Sequence, residues 1–220
     1  IAKNTGQSFK IVSQAALELS RQGLSVEETL KRTNDALILT RFTNLNASAA
    51  VETLTAAINS FSKEALNSTV IVNKLFNVDT QFAVSARDLA EAISRVGSTA
   101  QDAGVGIDSL IALVTSAQQI TARGGSVIGN AFKTIFQRIE RPEVLDQLRQ
   151  LGVEVDDLFS GGLLSADKIL INLARAYDKL GQSQQAQITQ LAAGVFQANV
   201  FKAVLNDLAR ANSFYSGALQ

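Results

Sequence analysis

Residues Gly104–Ile139, GVGIDSLIALVTSAQQITARGGSVIGNAFKTIFQRI, decide the fold. Leu110, Leu113, Val114 and Ala117 recur at helical spacing, and Ile111 and Ile120 widen that stripe. Beyond Gly124-Gly125 a second stripe runs through Ile128, Ala131, Phe132, Ile135, Phe136 and Ile139, while Asn130, Lys133, Thr134, Gln137 and Arg138 point elsewhere. The stretch predicts two apolar-faced helices, at 108–122 and 126–140, hinged at the glycine pair. Between Asp108 and Lys133 the only formal charge is Arg123. Such a pair points to a surface made for packing against other protein or a membrane.

Helical periodicity continues on both sides. It predicts helices at 7–22, 26–42, 47–62, 68–82, 86–96, 143–151, 166–180, 184–192 and 196–211, hence an all-α chain of short amphipathic helices joined by glycine hinges. Ser25-Val-Glu-Glu28 reads as a capping box, Ser85-Ala-Arg-Asp88 as a weaker one, and Ser165 as a cap followed by an acidic first turn. Pro142, the only proline, suits a first helical turn, where its missing N–H costs nothing. Gly23, Gly97, Gly152, Gly161-Gly162 and Gly181 are read as stops. The β-branched run 68–72 could form a strand, but its helical flanks favour helix. Residues 152–157 could hold a brief extended piece.

One internal repeat stands out. A shift of 69 residues aligns Gly125 with Gly194, Asn130 with Asn199, Phe132 with Phe201 and Lys133 with Lys202. It reads as a duplicated helix hairpin.

Composition narrows the function. The 220 residues are 46% hydrophobic, which allows a sizeable core. Residues 1–110 carry 10 Lys/Arg and 11 Asp/Glu, and residues 111–220 carry 10 and 9. No basic block supports nucleic-acid binding. Cys and His are absent, which removes the usual zinc ligands and the commonest general base. Met is absent too and the sequence opens on Ile1, so it reads as a segment of a longer chain.

The remaining chemical motifs have plainer readings. Ser165-Ala-Asp-Lys168 places a serine one turn from a lysine, but the serine sits where a cap belongs and the partner motifs of such enzymes are missing. Glu154, Asp156 and Asp157 lack the glycine and terminal glutamate of a calcium loop and read as a solvated segment. Gly125-Ser-Val-Ile-Gly129 is a G-x-x-x-G, followed at once by Asn130 and Lys133. It reads as close helix packing in a bundle or between subunits. The span 109–132 is long enough to cross a bilayer, but Gln118, Gln119, Arg123 and the glycine pair oppose it. No catalytic residue, metal site or cofactor is expected.

Residues 88–139 resemble the core region of phage tail tape measure proteins. The similarity rests on Leu89 and Ala92, then Ala103-Gly104-Val105-Gly106, the acidic cap Asp108, the turn Gly124-Gly125, and Ala131 with Phe132 and Ile135-Phe136. Leu151-Gly-Val153 and Leu191-Ala-Ala-Gly-Val-Phe196 resemble later segments, so the likeness covers roughly 65–220. Gly106 stands where the family often has Ser. The division expected is therefore 1–62, an N-terminal helical segment, and 63–220, a tape-measure-like core.

The resemblance implies a structural virion protein inside the tail tube or at the tail tip. It would set tail length, nucleate tube assembly at the tip or baseplate, and leave during genome ejection. It implies assembly with copies of itself as a homotrimer. Its further partners would be tail tip, baseplate hub and tail tube proteins, and tail assembly chaperones in the host cytoplasm. Membrane contact after ejection is the alternative use of the apolar faces, as a pore or channel-forming segment. The expected packing residues are Gly104, Leu110, Leu113, Val114, Gly124, Gly125, Ile128, Gly129, Phe132, Ile135, Phe136 and Phe201. Phe132→Asp or Ile135→Asp would disrupt assembly on this reading.

Overall fold

A computed structural model describes residues 1, 3 and 6–219. The chain is all-α, with eleven α-helices and no strand among the described residues. They are α1 (Phe9–Ser20), α2 (Val26–Thr43), α3 (Ala47–Ser60), α4 (Ser68–Gln81), α5 (Ala86–Asp102), α6 (Ile107–Thr121), α7 (Gly125–Ile139), α8 (Pro142–Gln150), α9 (Ala166–Tyr177), α10 (Gln182–Leu208) and α11 (Phe214–Ala218). The β-branched run at 68–72 opens α4 as helix, and the extended piece near 156 is a single bridge between Asp156 and Leu163.

Helix α6 sits at the centre. Ile107 and every residue from Leu110 to Ala117 are buried, so the helix is covered all round rather than along one stripe. Helices α5, α7, α10 and α11 pack around it. That environment accounts for its near absence of charge, because an ion there would have to be desolvated. Ile120, at its far end, falls outside the core and is exposed. Helix α5 lies along α7, α3 packs on α5, and α10 runs against α6, α7 and α9. Phe61, Phe132, Phe136 and Phe201 are the largest fully buried side chains. One apolar cluster extends from Ala15 to Tyr215, unbroken across the short 3₁₀ turn Ser62–Glu64.

Several helix starts are closed from elsewhere in the fold. Gly106 and Gly124 precede α6 and α7 and offer no capping side chain. The Glu64 carboxylate instead accepts the Ile107 N–H at 2.9 Å, and Asp88 accepts the Gly125 N–H at 2.8 Å. Asp79 accepts the Ala86 N–H of α5, and Asp207 accepts the Phe214 and Tyr215 N–H groups of α11. Each carboxylate takes up a donor that the helix cannot satisfy itself and adds charge at the positive end of its dipole.

Some glycines differ from their sequence reading. Gly97 does not end α5, which continues to Asp102 and stops at Gly104 in the left-handed region, φ 71°. Gly97 lies inside the helix because a Cβ there would come within 2.8 Å of Ser60 Oγ. Gly181 is the extended residue before α10 rather than a left-handed stop. In the turn between α6 and α7 the left-handed residue is Ala122, whereas Gly124 is extended and Gly125 is already helical. Ser165 has extended cap geometry but makes no capping side-chain bond.

Candidate interaction surface

The glycines of α7 mark where another backbone comes close. A Cβ on Gly125 would lie 1.9 Å from the Asp88 carbonyl oxygen, and one on Gly129 would lie 3.0 Å from the Ala92 Cα. The G-x-x-x-G face thus seats α5 directly on α7. Asp88 locks the crossing. One carboxylate oxygen accepts the Gly125 N–H and the other accepts the Ser85 hydroxyl at 2.6 Å. Burial pushes the Asp88 carboxyl up, but bonds from Ser85, Gly125 and Gln118, with Arg87 nearby, outweigh it and hold the group below its ordinary range.

The apolar residues of the opening stretch, apart from the exposed Ile120 and Val127, are covered by the chain itself. Leu110, Leu113, Val114, Ile128, Phe132 and Phe136 have no exposed surface, and Ile135 and Phe201 only 1%. The Phe132 and Phe136 rings stack with centroids 5.5 Å apart. Gly104 packs against Ser165, and Gly124 faces the Asp88 carboxylate. An aspartate at Phe132 or Ile135 would therefore unfold the chain, and lost assembly would follow from that alone.

Larger apolar exposure lies elsewhere, at Phe9 and Val26 near the N-terminus and at two places the sequence reading did not propose as packing surface. Gly194 breaks α10 with φ 70° and ψ 178°, a conformation open essentially to glycine alone. Arg138 of α7 reaches this break, and its Nη1 donates to the Gln190 and Leu191 carbonyls at 3.2 Å each. A guanidinium at the end of a helical run takes up carbonyls that the break leaves free and suits the negative end of the dipole. Just beyond, Val195 is 75% and Phe196 90% exposed, beside a groove of ≈ 330 Å³ lined also by Thr134, Gln190 and Gln197. A second apolar tip, Leu158-Phe159, stands out from the loop after α8. Glycine at 194 was the available signal for the first site, and adjacent apolar residues in a glycine-rich loop for the second.

The reactive-looking motifs are occupied or unassisted. Arg149 grips Asp156 with Nε and Nη2, at 2.8 and 2.7 Å, which lowers the Asp156 pKa. Asp157 folds back onto the Phe159 N–H and the Ser160 hydroxyl. Lys168 is exposed at the start of α9 and makes no hydrogen bond to Ser165. Among the described residues no three acids gather as metal ligands.

Comparison with known proteins adds the decisive observation. A family described as phage-related minor tail protein matches residues 1–194. The chain belongs to that family. No solved structure matches it. As a phage minor tail protein it has a structural role, a place in the virion tail, and other tail components as its associates. The family match takes in residues 1–62, where the sequence carried no motif of the resemblance.

Proposed function

We propose that this minor tail protein is a segment of a tape measure protein. It would lie in the tube lumen or at the tail tip, set tail length, nucleate the tube at the tip or baseplate, and leave with the genome. Its partners would be copies of itself, three per tail, together with tube, tip and hub proteins and assembly chaperones. The observation that carries the reading is the ordered series of motifs from Asp88 to Ile139 within a phage minor tail protein. A bundle of amphipathic helices suits a part whose work is occupying length and making contacts.

An in-frame duplication of this segment tests it. Tails measured by electron microscopy should lengthen. The limit is about 330 Å if the duplicated residues run as one continuous helix at 1.5 Å per residue, and less if they stay folded. Intact tails of unchanged length would refute the measuring role.

One observation favours the membrane-active reading. Gln182–Leu208 is long and apolar enough to cross a bilayer by length and composition. Gly194 interrupts it, and Phe201, Val204 and Leu205 face the core. Vesicle leakage driven by the intact chain would support that reading, and silence across pH and lipid composition would oppose it.

A further inference from the structure

The repeat between Gly125 and Gly194 is carried by burial as well as by sequence. Ala131, Phe132, Ile135 and Phe136 of α7 correspond to Val200, Phe201, Val204 and Leu205 of α10, and all eight are buried. Asn130 and Lys133 correspond to Asn199 and Lys202, and all four are exposed. Both stretches start a helical run at the glycine. They differ on one face. The Gly125–Gly129 face is covered by α5, which brings the Asp88 carboxylate to the Gly125 N–H. On the equivalent face Gly194 and Ala198 are half-exposed and the nearest atoms to a Gly194 Cβ belong to the Arg138 guanidinium; beside them Val195 and Phe196, whose counterparts are the half-buried Ser126 and the 44% exposed Val127, stand 75% and 90% open to solvent.

We propose that this face docks an amphipathic helix of a partner protein, one with an Asp or Glu in its first turn beside small and apolar residues, as α5 docks on Gly125. Charge selects that occupant. Arg138 forms no ion pair among the described residues, and the groove contains no acid. A second copy meeting this face across a two-fold axis would bring two guanidinium groups together with no carboxylate between them. An acidic helix supplies a carboxylate to Arg138, where in the first repeat Asp88 supplies one to the Gly125 N–H, while Phe196 supplies an aromatic anchor. The inference holds whether or not the chain sets tail length.

The probe is a peptide of residues 85–102 of this chain, the α5 helix with its cap, titrated onto the intact chain and followed by amide chemical shifts. The expected result is binding with shifts centred on Gly194–Ala198. Arg138→Gln and Phe196→Ser in the chain should each weaken binding by about tenfold or more. Asp88→Asn in the peptide should cost as much as Arg138→Gln and add little to it. Phe196 is on the surface, so its variant keeps the fold even if Arg138→Gln loosens the kink. Absence of binding, shifts at Gly125–Gly129 instead, or binding unchanged by Phe196→Ser would overturn the proposal. So would a peptide-free dimer abolished by Phe196→Ser, which would make a second copy the occupant.

Discussion

Asp88 and Glu140 are both carboxylates at the edge of the core, and the fold treats them oppositely. Asp88 is held below its ordinary range, because the bonds from Ser85, the Gly125 N–H and Gln118 outweigh its burial. Its contribution to stability is present above the ordinary carboxylate pKa and is lost as pH falls through the lowered folded value. Asp88→Asn is expected to cost about 1–2 kcal/mol at pH 7 in a denaturant titration, the usual value of a cap, with the gap narrowing below about pH 4. Burial, with Asp102 nearby, raises the pKa of Glu140. Its charged form works against the fold as pH rises from the ordinary value through the raised one. Glu140→Gln should therefore raise the melting temperature at pH 7 and leave it unchanged at pH 3, by calorimetry. Sequence reading placed Asp88 in a cap with Ser85 but could not see that its second oxygen serves a helix 37 positions on. The missing side chain at Gly124 was the only trace.

At the scale of helices, the crossing of α5 on α7 depends on the absence of a single Cβ. Gly125→Ala puts a methyl 1.9 Å from the Asp88 carbonyl, so one backbone must move. The expected loss is about 1–3 kcal/mol or more by chemical denaturation. Val127→Ala, two residues away and half exposed, is expected to stay within about 0.5 kcal/mol. Most helices were legible because their apolar positions recur at the right period and Pro142 and the serine caps mark their starts. The glycines were harder to read. Gly97 and Gly152 look alike in sequence, yet Gly97 makes room for Ser60 and Gly152 ends α8 at φ 73°. Only the helix that crosses distinguishes a stop from a close approach.

At the scale of the whole molecule, the uncharged stretch belongs to a helix surrounded by its own chain. Leu113→Ala, at the centre of α6, is expected to cost about 2–5 kcal/mol in a denaturant titration. Helical class, core residues and tail-protein character were all legible, since periodicity and the order of small-residue motifs survive without coordinates. The interaction surface was not, because a stripe of Leu, Ile and Phe reads the same whether its cover comes from the same chain or another. The fold assigns that cover to the same chain and leaves Val195 and Phe196 outward. Hydrogen exchange on the dilute chain, with its mass followed by sedimentation, tests this most directly. The account expects the slowest amides to lie in α6 and α7, with protection independent of concentration whether or not copies associate. Amides in α6 that exchange freely in the monomer, and gain protection only as copies associate, would contradict it.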